Sequence, residues 1–455
     1  MTTAEILQLQ REYFLTGETK SVKFRKKQLE LLKQTILTNE KKIYEALKED
    51  LGKSEIESYM CEVALVVNEI KYILKHLKSF VKKKKVPTSI VNFPASSYEM
   101  PCPKGNVLIM SPWNYPFMLT IEPLVDALAA GNTAIVKPSA YSKATSKLIY
   151  EMLSSTFEQK YVAVVTGGRE VNQDLLTLKF DHIFFTGSKA VGHEVLKNAE
   201  RNLTTVTLEL GGKSPCIVDK TAPIALAAKR IVFGKFINCG QTCIAPDYIL
   251  VHESVKEMFL RSLILEIKLQ YGENPLTDPL YGKIISEKHF DKVVGLLENQ
   301  KVLYGGKYNR ESLKIEPTVV VDPDLNSNIM TNEIFGPIIP VISYKTNSEA
   351  LEIIRRNDTP LAQYIFTKDK NIKNFFETNV LFGGGCINDT IMHISTPLLA
   401  FGGVGQSGMG AYHGKRGFDA FSHYKSIINK STKLDLPLRY RPHSDFKIKT
   451  IKKFF

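Results

Sequence analysis

The feature that most restricts the possible folds of this chain is a regular alternation of short apolar segments with helical segments, which begins at Gly105. Four apolar segments are predicted to be strands, and they are Val107–Met110, Thr133–Val136, Val162–Val165 and His182–Phe185. Helical segments near 117–130, 142–152 and 171 separate them. Strands that alternate with helices in this order predict a parallel sheet that is covered by helices on both faces.

Polar residues and glycines follow each strand of this predicted sheet. The groups are Ser111–Asn114, Lys137–Ser139, Thr166–Gly168 and Thr186–Ser188. Open parallel sheets bind their ligands beyond the carboxyl ends of the strands. The sequence therefore predicts a ligand site along this edge of the sheet.

The rest of the chain is predicted to form a helical layer, an extended excursion and a second α/β unit. Helical spacing of apolar residues over 21–80 predicts an amphipathic packing layer without a catalytic signal. The segment 86–100 is rich in β-branched residues and proline, which predicts an excursion from the helical body. With 455 residues, of which 44% are apolar, the chain is long enough for at least two domains. Strand-like segments of the second unit are Cys216–Val218, Ile249–Val251, Leu361–Thr367 and Gly385–Asn388.

Charge and cysteine content exclude several classes of function. The formal net charge is +13, but the lysines are spread along the chain and only 82–85 is a dense run, so we expect a solvated basic surface and no nucleic-acid partner. Six irregularly spaced cysteines favour a reducing compartment over a disulfide framework, and their spacing predicts no metal site. No segment predicts a targeting peptide or a membrane span, and the run 446–455 is too short for a stable membrane anchor. We expect a cytoplasmic protein.

Two longer motifs carry the chemistry. The first is T-L-E-L-G-G-K-S-P over 207–215, which contains Glu209, and the second is F-G-K-F-I-N-C-G-Q-T-C-I-A-P over 233–246, which contains Cys239 and Cys243. A cysteine considered alone is more often a small buried apolar residue than a nucleophile. The pair of motifs, however, closely resembles the active-site signatures of the aldehyde dehydrogenase superfamily. The glycine-rich run P-L-L-A-F-G-G-V-G-Q-S-G-M-G over 397–410 is most similar to its class 3 branch.

The resemblance implies an α/β fold with a Rossmann-type parallel-sheet cofactor domain, a second α/β catalytic domain and a small oligomerisation arm. It places the dinucleotide-binding domain at 1–81 and 103–208, the catalytic domain at 209–411, and oligomerisation or bridging segments at 82–102 and 412–455. In this family the excursion near 86–100 is a hairpin used in subunit contact, so the resemblance implies a homodimer. The residues alone fit a surface loop equally well.

Oxidation of an aldehyde to an acid in water needs a nucleophile, a hydride acceptor and a base that activates water. The resemblance assigns the nucleophile to Cys243, and the polar residues before it are of a kind that can hydrogen-bond a thiolate. Glu209 is the expected base. The side-chain amide of Asn114 and the backbone N–H of Cys243 are the expected donors to the oxyanion. Tyr115, Thr242 and Phe401 are expected in the substrate pocket, although Tyr115 and Phe401 fit equally well as core aromatic residues.

The resemblance also implies NAD or NADP as the cofactor. The segment F-F-T-G-S-K-A-V-G over 184–192 lacks the G-x-G-x-x-G fingerprint but matches the family's own variant, F-T-G-S-x-x-x-G, in which two glycines let the cofactor lie close to the helix. Glu333 in N-E-I-F-G-P is expected to accept hydrogen bonds from the nicotinamide ribose, although alone it fits an exposed loop acid. The full set of expected cofactor residues is Trp113, Lys137, Gly187, Ser188, Lys189, Ala190, Val191, Gly192, Glu333 and Phe335.

A departure from the family pattern bears on the choice of cofactor. Many members carry a glutamate in K-P-x-E, but this chain has K-P-S-A, with Ala140 at that position. The missing carboxylate removes an acceptor for the adenosine ribose hydroxyls and a charge that repels a 2′-phosphate, while Lys137 and Lys143 remain as cations. We therefore expect NADP to be used at least as well as NAD.

Two alternative functions stay open from the sequence. An acylating enzyme would pass the thioester to coenzyme A or phosphate, and a structural relative would have no catalysis at all. Glu209 favours hydrolysis, and a non-catalytic relative is expected to have lost at least one of the four residues Cys243, Glu209, Asn114 and Glu333. Four further cysteines match no signature position and are expected to be structural: Cys61, Cys102, Cys216 and Cys386.

Overall fold

A computed structural model describes residues 1–453, so the last two residues of the predicted C-terminal bridging segment lie outside the described part. Helices alternate with strands through most of the chain. The α-helices are α1 (Thr3–Leu15), α2 (Val22–Thr38), α3 (Glu40–Leu51), α4 (Glu55–Ser58), α5 (Ala64–Phe80), α6 (Met118–Ala130), α7 (Lys143–Thr156), α8 (Arg169–Thr177), α9 (Lys189–Glu200), α10 (Ile224–Phe236), α11 (Lys256–Tyr271), α12 (Glu287–Gly295), α13 (Asn328–Thr331), α14 (Asn347–Arg355), α15 (Lys370–Asn379), α16 (Gly414–Ala420) and α17 (Asp445–Ile451).

The strands fall into two large sheets, one small sheet and a two-stranded ribbon. In chain order they are β1 (Lys84–Val86), β2 (Ala95–Pro103), β3 (Asn106–Met110), β4 (Thr133–Lys137), β5 (Val162–Val164), β6 (His182–Gly187), β7 (Thr205–Leu210), β8 (Pro215–Val218), β9 (Tyr248–His252), β10 (Val302–Tyr304), β11 (Tyr308–Asn309), β12 (Lys314–Ile315), β13 (Thr318–Val321), β14 (Ile338–Tyr344), β15 (Ala362–Phe366), β16 (Gly384–Ile387), β17 (Gly408–Met409) and β18 (Ser422–Lys430).

The first large sheet confirms the predicted parallel arrangement. Its strand order is β17-β7-β6-β3-β4-β5, and all neighbours are parallel except β17, which runs antiparallel to β7. β3 and β4 are buried along their whole length, as expected for strands with helices on both faces. Because β3 is central, the loop that follows it at 111–117 lies in the middle of the carboxyl edge, where ligands bind.

The second large sheet has the order β10-β13-β14-β9-β8-β15-β16, and it is parallel except at β10. It confirms the predicted second α/β unit. β7 of the first sheet and β8 of the second are joined by only four residues, 211–214, so the carboxyl end of β7 leads directly to the second sheet.

The predicted excursion from the helical body forms part of a three-stranded antiparallel sheet, in the order β1-β2-β18. β18 pairs with β2 over the full length of both strands, from Ser422 opposite Pro103 to Lys430 opposite Ala95. The sheet therefore joins the two segments that were predicted to serve in oligomerisation.

The predicted packing layer over 21–80 is present, and it covers the first sheet. α2 buries Leu29, Leu32 and Ile36 completely and packs against α5 and α6. Each such side chain stabilises the fold by about 1.5–3 kcal/mol through removal of apolar surface from water. α6 is buried on every side and begins directly after the loop at 111–117, so the layer fixes one border of the ligand edge. Within residues 1–453 no helix is long and apolar enough to cross a membrane.

Candidate active site

One cavity of about 280 Å³ lies at the carboxyl edge of the first sheet and reaches the second sheet. It gathers most of the residues that the sequence singled out. The predicted residues in its wall are Trp113, Asn114, Tyr115, Gly187, Ser188, Glu209, Thr242, Cys243, Glu333, Phe335 and Phe401. Lys137, Lys189, Ala190, Val191 and Gly192 are not part of this wall.

The cysteine loop enters the cavity through an unusual turn after α10. Asn238 and Cys239 both have φ 52°, and Gly240 follows with φ 72°. The left-handed region costs a non-glycine residue about 1–2 kcal/mol, so this turn is held by its surroundings. A side chain at Gly240 would place Cβ 2.2 Å from the carbonyl oxygen of Gly336, which explains why glycine occupies this position.

Gln241 connects the cysteine loop to the segment at 283–285 through hydrogen bonds. Its side chain is fully buried, and Nε2 donates to the carbonyl oxygens of Asn238 at 3.0 Å and Lys283 at 3.1 Å. Its Oε1 accepts the N–H of Ile285 at 3.0 Å. The glycine and glutamine of the cysteine motif therefore shape the turn that presents Cys243.

The surroundings of the Cys243 thiol favour its neutral form over the thiolate. Burial raises its pKa to about 12, and the nearby carboxyl groups of Glu333 and Glu209 add to this effect. The backbone N–H groups of Cys243 and Ile244 point at the sulfur and lower the pKa, but by less. The polar side chains of the loop therefore do not offset the effect of burial on this thiol.

Glu209 stands near the carboxyl end of β7 with its side chain only 2% exposed. Neither carboxyl oxygen accepts a hydrogen bond from any residue in the described part of the chain. Burial raises the pKa of Glu209 well above its ordinary value. A carboxyl group of this kind holds a proton more strongly than a solvated one and accepts one readily once it is ionised.

Asn114 lies in the loop after β3 and is 3% exposed. Its side-chain Nδ2 donates to the carbonyl oxygen of Gln241 at 3.0 Å, which ties it to the cysteine loop. Its own carbonyl oxygen accepts from Asn238 Nδ2 at 2.8 Å and from Lys53 Nζ at 3.1 Å. The next residue, Tyr115, forms a 2.6 Å hydrogen bond through its hydroxyl with Thr242 Oγ1.

The helical layer contributes to the cavity, contrary to the prediction that 21–80 carries no catalytic signal. A π-helical turn over Tyr59–Val63, between α4 and α5, places Met60 and Cys61 in the wall, and Leu65 follows. Cys61, which was expected to be structural, thus lies in the cavity wall. Turns of this type often mark functional sites. Their irregular spacing changes the helical pattern of apolar residues only slightly, so they could not be predicted from the sequence.

Glu333 approaches the backbone of the glutamate motif. Its Oε1 accepts the N–H of Gly212 at 3.3 Å, and a Cβ at Gly211 would lie 2.1 Å from its Oε2. Burial, followed by the charge of Asp247, raises the pKa of Glu333 to about 7. Glu333 is therefore partly buried beside the sheet edge rather than an exposed loop acid.

Aromatic rings line the same end of the cavity. Trp113 contacts the ring of Phe335 with centroids 5.3 Å apart and the ring of His289 at 4.7 Å. His289 was not predicted, because a single histidine at the start of a helix carries no sequence signal. Phe335 has φ 51°, a strained conformation that directs the N-E-I-F-G-P segment past the cavity.

A buried ion pair holds the segment that carries Glu333. Lys213 and Asp247 are bonded to each other, and Lys213 Nζ also donates to the carbonyl oxygens of Ile329 at 2.7 Å and Asn332 at 3.0 Å. Asp247 accepts the N–H of Ile334 at 3.1 Å. These bonds fix the backbone on both sides of Glu333.

A second cavity, of about 310 Å³, lies beyond β4 and β5. Its wall includes Ser139, Ala140, Lys143 and Lys147, with no carboxylate at position 140. Lys137 lies beneath it, 3% exposed, and donates to the carbonyl oxygen of Pro138 at 2.8 Å. Burial lowers the pKa of Lys137 to about 8. The cations that face this cavity are thus Lys143, as expected, and Lys147.

The start of α9 adjoins the first cavity. Gly187 and Ser188 lie in the cavity wall, and Lys189 Nζ pairs with Asp358 at 2.7 Å. A Cβ at Gly187 would lie 2.6 Å from the ring of Phe185, and one at Gly192 would lie 2.8 Å from Leu210. These glycines are therefore also required for packing of α9 on the sheet. Among residues 1–453, no cluster of three or more His, Cys, Asp or Glu side chains could hold a metal ion.

The fold and the cavity together define an α/β oxidoreductase of the nicotinamide-dependent class, with a cysteine and two glutamates facing one cavity. A family model described as "Aldehyde dehydrogenase family" matches residues 4–427, and the chain belongs to this family. It oxidises aldehydes with NAD or NADP.

Relatives across the whole chain agree with this assignment. The chain is 46% identical over 445 residues to the 4,4'-diaponeurosporen-aldehyde dehydrogenase of Staphylococcus aureus, covering 97% of each protein. It is 43% identical to aldehyde dehydrogenase family 3 member A2 of Rattus norvegicus (98% of this chain, 92% of the relative). It is 44% identical to the dimeric NADP-preferring aldehyde dehydrogenase of Rattus norvegicus (92% and 93%). The predicted likeness to the class 3 branch is confirmed.

A solved structure, the substrate-bound state of Staphylococcus aureus AldH, has a TM-score of 0.98 and 45% identity, with 100% of both chains covered. The predicted fold class is therefore confirmed.

Proposed function

We propose that the chain oxidises apolar aldehydes to carboxylic acids through a covalent thioester on Cys243. The observation that carries this proposal is the convergence of Cys243, Glu209 and Asn114 on one cavity. A nucleophile, a base and an oxyanion donor are the groups that such a reaction requires.

In the first step the sulfur of Cys243 attacks the carbonyl carbon and the thiol proton is transferred to a base. The neutral resting thiol makes this base necessary, and Glu209 in the same cavity is the candidate. The carbonyl oxygen becomes an oxyanion. One N–H of the Asn114 side chain is committed to Gln241, which leaves the other for the oxyanion together with the backbone N–H of Cys243.

In the second step the former aldehyde carbon loses a hydride, and its oxygen returns to a carbonyl, so that a thioester remains on Cys243. The nicotinamide cofactor, when bound, supplies the acceptor for this hydride. Glu333, fixed by Gly212 and by the Lys213–Asp247 pair, is the residue that we assign to the nicotinamide ribose. Trp113 and Phe335 would pack beside it.

Before the third step Glu209 releases the thiol proton to solvent and is ionised again. A water molecule then attacks the thioester while Glu209 takes a proton from it, which it later returns to the sulfur. The carbon–sulfur bond breaks, the acid leaves, and the sulfur of Cys243 regains a proton. A buried carboxyl group without a hydrogen-bond partner is a stronger base than a solvated one, which suits this role.

Apolar side chains favour an apolar substrate. Met60 and Met392 line the cavity and are 40% and 45% exposed, so they lie where it opens to solvent. Flexible thioether side chains adapt to varied apolar shapes. The Staphylococcus relative is named for 4,4'-diaponeurosporen-aldehyde, which supports an aldehyde substrate of this general kind. Further apolar residues in the wall are Leu65, Met118, Leu119, Phe233 and Ile394.

We also propose that NADP is used at least as well as NAD, because Ala140, Lys143 and Lys147 border the second cavity.

The three-stranded β1-β2-β18 sheet would serve in a homodimer, as the name of the dimeric relative suggests. The division into a cofactor domain at 1–81 and 103–208 and a catalytic domain at 209–411 belongs to the same proposal, as does a cytoplasmic location.

A rapid-mixing experiment with octanal and either cofactor tests the mechanism. Wild type should form reduced cofactor in a burst, Cys243→Ala should form none while still binding cofactor, and Glu209→Gln should give at most one equivalent before slow turnover. Cys239→Ala is the matched cysteine control and should retain the burst. Full activity of Cys243→Ala would refute the proposal, and acceleration by coenzyme A with acyl-coenzyme A as product would favour the acylating alternative.

A further inference from the structure

We propose that Lys53, in the short loop between α3 and α4, is a positioning residue that holds Asn114 in place for the reaction. The proposal rests on the proposed function, in which Asn114 donates to the oxyanion. Lys53 belongs to no motif, lies 61 residues before Asn114 in the chain, and does not line the cavity.

Lys53 contacts two consecutive residues of the loop after β3. Its Nζ donates to the carbonyl oxygen of Asn114 at 3.1 Å and lies 4.0 Å from the centre of the Tyr115 ring. The lysine is 1% exposed, so its charge acts at short range without solvent screening. A single cation therefore fixes the backbone of Asn114 and the ring of the residue beside it.

Glu62 balances this charge and extends the support to the other side of the loop. Its Oε1 accepts from Lys53 Nζ at 2.5 Å. Its Oε2 accepts the N–H groups of Phe117 at 2.8 Å and Met118 at 3.1 Å, at the start of α6. The buried pair thus spans the loop: Lys53 is hydrogen-bonded to Asn114, and Glu62 is hydrogen-bonded to the start of the helix that follows.

The same loop is bonded to the cysteine loop from the opposite direction. Asn238 Nδ2 donates to the carbonyl oxygen of Asn114, and Asn114 Nδ2 donates to Gln241. Asn238 is itself held by Glu57, which accepts its N–H at 2.6 Å. Asn114 is therefore clamped between the helical layer and the cysteine loop, and the position of its amide depends on both.

A role in positioning differs measurably from a role in stability. If Lys53 acts through Asn114, its loss should slow the step that builds the oxyanion and should be silent once the amide is gone. A purely structural role would lower the melting temperature without this dependence. A misplacement of about 1 Å in a catalytic group costs on the order of 100-fold in rate.

The test is a double-mutant cycle on the burst rate of reduced-cofactor formation with octanal. We expect Lys53→Met to slow the burst about 10- to 100-fold with unchanged cofactor affinity, and to have no further effect in the Asn114→Ala background. Loss of one partner of a buried ion pair destabilises a fold. If Lys53→Met does not fold, it is replaced in the cycle by the double variant Lys53→Met/Glu62→Gln, which removes both charges.

Arg25→Met is the matched control. Arg25 is a buried cation that donates to the carbonyl oxygen of Ala129 at 3.2 Å, near the far end of α6, so its loss should lower stability and leave the burst rate unchanged. The inference would be overturned if the burst of Lys53→Met/Glu62→Gln were as fast as that of wild type. It would also be overturned if the Lys53 change slowed the burst by the same factor in the Asn114→Ala background as in wild type. If Asn114→Ala alone does not slow the burst, the proposed role of Asn114 fails as well, so the two failures are distinguishable.

Discussion

The buried carboxyl group of Glu69 should make the enzyme less stable as the pH rises through neutrality. Glu69 lies on α5, is 2% exposed, and accepts the N–H of Gly414 at 2.7 Å. Burial, followed by the charge of Glu122, raises its pKa from 4.5 to about 7, against the opposing effect of His413. Below pH 4.5 the group is protonated in both the folded and the unfolded chain and contributes no pH dependence.

Between pH 4.5 and 7 the unfolded chain releases this proton first, so the free energy of unfolding falls as the pH rises. At about 1.4 kcal/mol for each pKa unit, the full loss of stability above pH 7 is about 3–4 kcal/mol. Glu69→Gln removes the charge and keeps an oxygen for Gly414. The unfolding entropy is about 2.1 cal/mol/K per residue for a chain of 455 residues. The free energy of unfolding regained by Glu69→Gln therefore corresponds to a rise of about 3–4 °C in Tm at pH 8.

Thermal melts of wild type and Glu69→Gln at pH 4, 5, 6, 7 and 8 measure the effect, and only the difference at each pH is compared. The difference should be small at pH 4 and reach its full value by about pH 8. Glu45→Gln, on the exposed face of α3, is the control for loss of a glutamate and should show no such trend. A Tm difference that stays constant with pH, or a variant that is less stable at pH 8, would refute the reasoning.

Three further changes test the cofactor end of the site. Ala140→Glu should shift kcat/KM toward NAD, and a wild type that already rejects NADP would contradict the argument. Lys213→Met should raise the KM for cofactor about 10-fold or more, since it frees the segment around Glu333; an unchanged KM in folded protein would show that the ion pair is not needed there. Gly211→Ala should also raise the KM for cofactor, because the added Cβ displaces Glu333. Gly295→Ala should leave this KM unchanged, since a Cβ there meets no atom within 4 Å.

Four strands of each large sheet could be predicted, because buried parallel strands leave unbroken apolar runs between helices. The parallel strands β7, β13 and β14 were not predicted. β3 and β4 match the predicted strands to within one residue at each end. The order of strands across the sheet could not be predicted, since β3 pairs with β6 through contacts about 75 residues apart in the chain. β17 was missed because a two-residue strand of Gly408 and Met409 has no pattern of its own.

The supporting pairs of the site were missed for a related reason. Lys53 and Glu62 belong to no motif and lie in a helical layer, and only the fold brings them close to the loop of Asn114. Lys213 and Asp247, by contrast, lie inside or beside the two motifs, each four residues after Glu209 or Cys243. Each motif therefore has one partner of this ion pair either within it or directly after it.

The polar residues around the Cys243 thiol act on the loop and not on the sulfur. The sequence shows Asn238, Gln241 and Thr242 close to the cysteine, and such side chains can hydrogen-bond a thiolate. In the structure they bond elsewhere: Asn238 and Gln241 to backbone carbonyls, and Thr242 to Tyr115. Only two backbone N–H groups remain for the sulfur, and burial outweighs them. The polar residues thus shape the loop, and in the proposed mechanism a separate base in the cavity removes the thiol proton.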